Sequence, residues 1–566
     1  MRFARLLYPI LFAIFVPLAI LAQRPTYILL GDAAAVCLTG ALAVAAMMAV
    51  VYRIVRVWLC PDPAASVAAA GAFGAVGLFY GYREFVVAGR LIVAHPIPVL
   101  VVGCAIVGVC AWAYRRGALS RLFSHRLDVE RYLTVVGAVL VVWSGAQVAV
   151  HEAAGARALA RSELVRELAR PVPMRARGAA PVGDSAAGRA RRKRDVYVLV
   201  LDEYASSNVL RERFGFDNRP FEDSLRALGF RVPASVRSNY AITLLSVPSL
   251  LNFAQMRPLA DEMAAGSRTS APLNYLTEHN RAAAFLKAQG YRYAFFPSAW
   301  FPATLASDEA DTQYDPYRGF DLARSIYRSE FDTKLESVTM LSAFRNVLPS
   351  AAAVYAEHVA RTFAGVTAMA GSARPTFVFA HVLMPHSPWV VDAACRPALA
   401  RDLMSQGWDH SPASHAMLRD QVQCVNEQTL KTVRALIARS QPSPIIIIQG
   451  DHGTEESLNP PLSDTAVPDV EQARERFRAF GAYFLPGGGA AAMPESTSVV
   501  NVLRHVFSYY FDADLPPLPN TMYYSYQLPY AMTELDDDFR VARPKPVHPI
   551  VARRSSSAAA AVAASH

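Results

Sequence analysis

The first 150 residues restrict the fold most. Apolar residues dominate there to a degree that water does not tolerate, in five stretches at roughly 5–22, 28–50, 65–82, 91–114 and 132–150. Each is near the ~20 residues that a helix needs to cross a bilayer core. Inside lipid every backbone N–H and C=O must be satisfied within the segment, so such stretches fold as helices. A cleaved signal sequence is the alternative for the first, but its apolar run is long, no small-residue cleavage site follows it, and Arg24-Pro25 leads straight into more apolar chain.

Arginines orient this bundle. Arg2 and Arg5 flank the N-terminus, Arg53 and Arg56 fall in the second loop, and Arg115, Arg116, Arg121, Arg126 and Arg131 crowd the fourth, whereas the first and third loops are shorter and poorer in charge. The excess of positive charge on cytoplasmic loops puts the N-terminus inside. Five spans then place everything after residue 150 outside the cytoplasm. The expectation is a multi-pass protein of a bacterial inner (cytoplasmic) membrane, with its large domain facing the periplasm or exterior.

Composition agrees with this reading. Of the 566 residues, 53% are hydrophobic and only 18% charged, too apolar for an ordinary soluble protein. The pI near 9.2 raises a nucleic-acid alternative. It is set aside because the basic cluster Arg189, Arg191, Arg192, Lys193 and Arg194 sits in a linker without a folded basic face, where anionic lipid head groups are the better partner. Four domains are expected: a transmembrane domain at 1–150, a basic linker at 151–195, a catalytic domain at 196–535 and a disordered tail at 536–566.

The large domain reads as strands alternating with helices, the pattern of a mostly parallel sheet covered on both faces. Strands are expected at 196–201, 230–232, 291–296, 376–382, 445–448 and 477–485, with helices around 219–228, 273–288, 414–438 and 497–510. Pro444-Ile445-Ile446-Ile447-Ile448-Gln449-Gly450 is the clearest strand, apolar enough to be buried on both faces. Only Cys395 and Cys424 belong to this domain; an oxidising compartment favours a disulfide between them, and two buried thiols are the alternative.

Chemistry-bearing residues fall at the strand ends. Asp451-His452-Gly453 follows the tetra-isoleucine strand, at the carboxyl end where open α/β sheets bind ligands. Asp202-Glu203 follows Val196–Leu201 and reads either as metal-binding carboxylates or as a helix cap and solvated loop. Thr243 precedes the apolar segment Leu244–Asn252, with Thr243 or Ser246 as its cap; a hydroxyl there meets a field that favours an approaching anion. His386, held between Pro385 and Pro388, is presented rigidly as a donor or cation, while His381 inside its strand fits a structural role.

These segments, in this order, resemble the alkaline phosphatase/sulfatase superfamily, in particular its membrane-anchored branch of lipoteichoic acid synthases and phosphoethanolamine transferases. The resemblance covers roughly residues 195–530. Leu201-Asp202-Glu203-Tyr204 resembles the first metal motif, Thr243 to Ser249 the nucleophile segment, Met384 to Pro388 the substrate-binding histidine motif, and Gln449 to Gly453 the second metal motif. It implies an α/β sulfatase/alkaline-phosphatase-like domain behind the helical transmembrane bundle. It also implies one divalent ion, Zn²⁺ or Mn²⁺ by ligand type, held by Asp202, Thr243, Asp451 and His452, with Glu203 a further ligand or a bystander. Thr243 is the implied nucleophile and His386 the contact to the transferred group.

Thr243 also departs from true sulfatases, which oxidise a Cys or Ser to formylglycine. The methyl on its Cβ forbids the aldehyde, and Val247-Pro248-Ser249 stands where an arginine would follow. The expected activity is transfer of a phospho-headgroup to or from a lipid-borne or glycan substrate of the cell envelope, with membrane lipids as partners and no nucleic acid. The alternatives are a hydrolase of the same superfamily (a phosphodiesterase or sulfuric ester hydrolase) and a non-catalytic envelope scaffold.

Overall fold

The structure is a computed structural model that describes residues 6–23, 30–57, 59–88, 126–175, 193–298, 304–314, 338–344, 351–397, 411–455 and 468–542, with Phe331 and Leu335 as isolated positions. The fourth expected span, 91–114, the basic cluster at 189–192 and the tail from 543 lie outside these residues.

Among the described residues three helices are long and apolar enough to cross a membrane: Leu30–Val55, one that begins at Pro61, and one that ends at Arg161. Tyr8–Gln23 is apolar but has only 16 residues. Leu38, Leu42, Val50 and Ile54 on the first, and Tyr132, Val135, Val139, Val142 and Trp143 on the last, are exposed. Contiguous exposed apolar faces of this kind suit lipid rather than water.

The helix Arg126–Arg161 has 36 residues. At 1.5 Å per residue it is about 54 Å long, well beyond a ~30 Å hydrocarbon core. Its far end does not stop at a free linker. Gly155 packs so closely that a Cβ there would meet Thr269 Oγ1 at 2.8 Å. Ser162 caps the next helix, Glu163–Leu168, and accepts from Val165 N. Leu164, Val165 and Leu168 are buried in one cluster with Ile242, Leu244, Leu245, Leu273 and Leu276, so the chain leaving the long helix packs against the segment carrying Thr243.

Beyond this junction lies a six-stranded sheet: β1 (Val196–Leu201), β3 (Arg292–Phe296), β4 (Thr312–Gln313), β5 (Thr376–Val382), β6 (Ile445–Gly450) and β8 (Gly481–Phe484), in the order β4-β3-β5-β1-β6-β8. All neighbours are parallel except β8, which runs antiparallel to β6. A three-stranded sheet of β2 (Ser235–Arg237), β7 (Arg478–Ala479) and β9 (Ser496–Ser498) lies apart, as does the pair β10 (Met522–Tyr524) and β11 (Thr533–Leu535).

Strand alternation splits the core. Tyr197, Leu199 and Leu201 join one cluster with residues of helices Ala351–Ala368 and Pro412–Arg439. Val196, Val198 and Val200 join the other, with Val247, Leu250 and Leu251 and residues of Arg281–Ala288 and Val499–Tyr510. Both faces are covered, which is why β1, β5 and β6 are fully buried and read as continuous apolar runs.

Several expected elements are corrected. Residues 230–232 make only the isolated bridge Arg231↔Tyr483. The expected helix 273–288 is two, Ala271–Glu278 and Arg281–Ala288, because Asn280 takes an extended conformation and caps Ala283 N. The strand expected at 477–485 is β7 and β8, which join different sheets. The disulfide expected between Cys395 and Cys424, by contrast, is present and joins the loop after β5 to helix Pro412–Arg439.

Candidate metal centre

Sheet register builds the site. β1 lies between β5 and β6, with Leu201 opposite both Val382 and Gly450. The next residues, Asp202 and Asp451, therefore leave adjacent strands at the same level, about 5 Å apart along the hydrogen-bonding direction. Asp202 N donates to Val382 O at 2.9 Å, and Glu203 N donates to Asp451 Oδ1 at 3.2 Å. Close packing keeps this turn tight. A Cβ on Gly450 would meet Tyr204 O at 2.3 Å, and one on Gly453 would meet Glu475 O at 2.0 Å, so both positions demand glycine.

Thr243 is the first residue of helix Thr243–Asn252. The cap expected of Thr243 or Ser246 is absent: Ile242 holds the cap position in extended conformation without a side-chain bond. Ser246 is used otherwise. Its hydroxyl and that of Ser238 each donate to Asp451 O at 2.6 Å, tying the helix to the ligand turn. Thr243 Oγ1 is thereby left facing the carboxylates, 3.4 Å from Asp202 Oδ1 and 3.0 Å from His452 Nε2.

Among the described residues Asp202, Asp451 and His452 offer ligand atoms that all lie within 4.8 Å of one another, and all three side chains are buried. Two observations fit a cation. First, Asp202 Oδ2 and Asp451 Oδ2 are buried and, although the imidazole nitrogens of His381 and His452 lie 3.2 Å away, neither oxygen has a well-directed hydrogen bond among the described residues. Buried carboxylate oxygens left so are costly unless something positive meets them. Second, His452 Nδ1 lies 3.0 Å from Gly453 O. A carbonyl only accepts, so Nδ1 carries the proton and Nε2 keeps its lone pair toward Asp202 and Thr243, the arrangement a metal-ligating imidazole uses.

Electrostatics agree. Burial alone would raise Asp202, but the imidazoles of His386, His381 and His452 hold it below the usual carboxylate range. Burial and then the charge of Asp202 push Asp451 up to about 7. Burial and then Arg476 push His452 well below its ordinary value, so it is neutral at physiological pH. Two carboxylates and a neutral imidazole, with the His386 cation at the rim, form a donor set that suits one divalent ion.

Glu203, the additional candidate ligand, is turned elsewhere. Its backbone is left-handed (φ 58°), and its carboxylate pairs with the buried Arg476 and lies 4.0 Å from His386 Nε2. His386 keeps a partly exposed side chain at the rim. Burial would lower it, but Glu203, Asp202 and Glu455 outweigh that and raise it to about 9, which makes it a cation at neutral pH.

Two contributors escaped the motif reading. His381 is not a passive strand residue: its Nε2 lies 3.2 Å from Asp202 Oδ2, and its Nδ1 is 2.8 Å from Thr304 Oγ1. Its place one residue before the end of β5, next to β1, was the available signal. Arg476 lies in the last turn of helix Val470–Phe477, and no local pattern announced it.

No protein-family model matches the chain, and no curated protein matches it. Solved structures similar to it include the C-terminal periplasmic domain of EcEptC from Escherichia coli, at 13% identity over 64% of this chain and 97% of that one, with a TM-score of 0.41. Another is the integral membrane protein lipooligosaccharide phosphoethanolamine transferase A (EptA) from Neisseria meningitidis, at 12% identity over 90% of this chain and 95% of that one, TM-score 0.37. A third is BT1596, a 2-O GAG sulfatase, at 12% identity over 56% and 70%, TM-score 0.35. Likenesses of this size do not bear on reaction or substrate.

Proposed function

We propose that this chain is a membrane-anchored, divalent-metal-dependent enzyme that transfers a phospho-headgroup to or from a lipid or glycan of the bacterial cell envelope, with Thr243 as nucleophile. The observation that carries the reading is the position of Thr243 Oγ1 at the edge of the Asp202–Asp451–His452 cluster, 3.0 Å from His452 Nε2 and 3.4 Å from Asp202 Oδ1.

Asp202, Asp451 and His452, with Thr243, would hold the ion, and Zn²⁺ or Mn²⁺ suits these oxygen and imidazole donors. When bound it lowers the cost of deprotonating the hydroxyl and stabilises charge on phosphoryl oxygens. In the proposed reaction Thr243 Oγ gives its proton to solvent and forms a bond to phosphorus as the ester bond to the leaving alcohol breaks. The His386 cation, at the rim, donates a proton to that leaving oxygen or holds the headgroup. An acceptor hydroxyl then gives its proton to the now neutral His386 and attacks phosphorus, the Thr243 Oγ–phosphorus bond breaks, and Thr243 Oγ takes a proton back from solvent.

The apolar helices and the basic linker support a site near a membrane surface. With the arginine pattern of the loops they support a five-span topology and a site outside the cytoplasm. Threonine cannot form formylglycine, so sulfate-ester hydrolysis by that route is disfavoured.

Mass spectrometry of envelope lipids and glycans from cells expressing the wild-type chain or Thr243→Ala tests the proposal. A mass increment of one phospho-headgroup, present with wild type and lost in the variant, is expected. Matching profiles at equal expression overturn it; released headgroup without a modified acceptor turns the reading to hydrolysis.

A further inference from the structure

Arg476 lies outside every motif that pointed to the site, yet it touches three of the segments that form it. The side chain is only 4% exposed. Nε donates to Ala241 O at 2.6 Å, two residues before Thr243. One terminal nitrogen donates to Gly453 O at 3.0 Å and also bonds Glu203, the neighbour of Asp202. The other lies 3.4 Å from Glu455 Oε2. The backbone closes the arrangement, since Gly453 N donates to Arg476 O at 2.8 Å.

Gly453 is thus gripped on both sides by one residue, and its carbonyl is the same atom that fixes the His452 tautomer. A guanidinium presents five N–H donors in a rigid plane, so it can bind several loops at once in fixed directions. A lysine keeps the charge but is a point donor and cannot reach Ala241, Gly453 and both glutamates together.

We infer that Arg476 is a positioning residue that sets the mutual placement of Thr243, Asp202 and His452, and so the affinity and geometry of the metal pocket. It acts through Gly453, Ala241 and Glu203 and needs no contact with ion or substrate. The inference rests on the reading that this pocket holds a divalent ion. Partners behind metal ligands typically carry about 10- to 100-fold of metal affinity.

The test uses the full chain purified in detergent, titrated with Zn²⁺ and Mn²⁺ and separately loaded with Co²⁺ for its visible spectrum. Arg476→Lys is expected to bind Zn²⁺ about 10- to 100-fold more weakly and to alter the Co²⁺ bands, while circular dichroism of the metal-free chain is unchanged. Arg474→Lys, at the exposed pair with Glu471, is expected to leave both signals as in wild type. Because removing one partner of a buried ion pair can unfold a chain, the triple variant Arg476→Met, Glu203→Gln, Glu455→Gln removes the charges together. It is expected to fold and still bind weakly.

Wild-type affinity and an unchanged Co²⁺ spectrum in Arg476→Lys, or in the folded triple variant, overturn the inference while leaving the metal reading intact. A wild-type chain that binds no divalent ion overturns both.

Discussion

Metal affinity in this pocket is expected to depend on one proton. In the metal-free site Asp202 is held ionised and His452 neutral, while burial and the Asp202 charge raise Asp451 to about 7. Below that pH the carboxylate pair therefore holds one proton that an incoming ion must displace. The apparent affinity then falls about tenfold per pH unit, some 1.4 kcal/mol each, so about 100-fold from pH 7 to pH 5. Above pH 8 these three groups impose no slope. Competition titration against a chromophoric chelator from pH 5 to 8.5 measures the slope. Calorimetry in two buffers of different ionisation enthalpy counts the proton, about one per ion at pH 6.

The sign for stability needs both shifted groups. Asp451 lies above its ordinary 3.8, so the metal-free fold binds the extra proton and loses stability as pH rises from about 4 to about 7. His452 lies below its ordinary 6.5, so the unfolded chain binds the extra proton and stability rises with pH up to that value. Over the shared window the two slopes oppose each other, and the metal-loaded chain alone should gain stability with pH. A flat affinity profile down to pH 5, or a slope of two from a titrating His452, refutes the reasoning.

The remaining predictions concern other parts of the site. His386 is raised to about 9, so it stays protonated at neutral pH and its stabilising contribution is lost as pH rises through that value; transfer activity should decline above pH 9, and His386→Gln should be slow with that decline removed. Gly453→Ala drives a Cβ into Glu475 O, at 2.0 Å, and should abolish tight metal binding by titration while costing about 1–3 kcal/mol in denaturant unfolding. Leu164→Ala opens the cluster beside Ile242 and Leu245 and should destabilise the large domain by about 2–5 kcal/mol, read as a lower thermal midpoint of the full chain; an unchanged midpoint refutes the docked junction.

Much of this site was legible in sequence because its parts are local. A run of isoleucines followed closely by Gly-Asp-His marks both a buried strand and the chemistry at its end, and Val196–Leu201 followed by Asp202 repeats the pattern. Alternation and burial depend on neighbours within a few residues, which a sequence displays directly. Thr243 was legible as the start of an apolar helix, but its lack of a cap was not, since Ser246, the serine available as a cap, bonds Asp451 together with Ser238 instead.

What the tertiary structure alone decided are the relations between distant segments. The Leu201–Gly450 register brings Asp202 beside Asp451, and nothing in either strand specifies that pairing. His381 acquires its role only because β5 flanks β1. The segment after residue 150, read by composition as a linker partly helical near the membrane, is helix to Arg161, but only the tertiary structure buries Leu164, Val165 and Leu168 against the helix that carries Thr243. Arg476 was the least legible of all. Two of its hydrogen bonds go to backbone carbonyls, which every residue possesses, so no residue type in the sequence could mark Ala241 or Gly453 as its partners. Composition and short-range periodicity determine the strands, the apolar helices and the candidate ligands; long-range backbone geometry determines which of them meet.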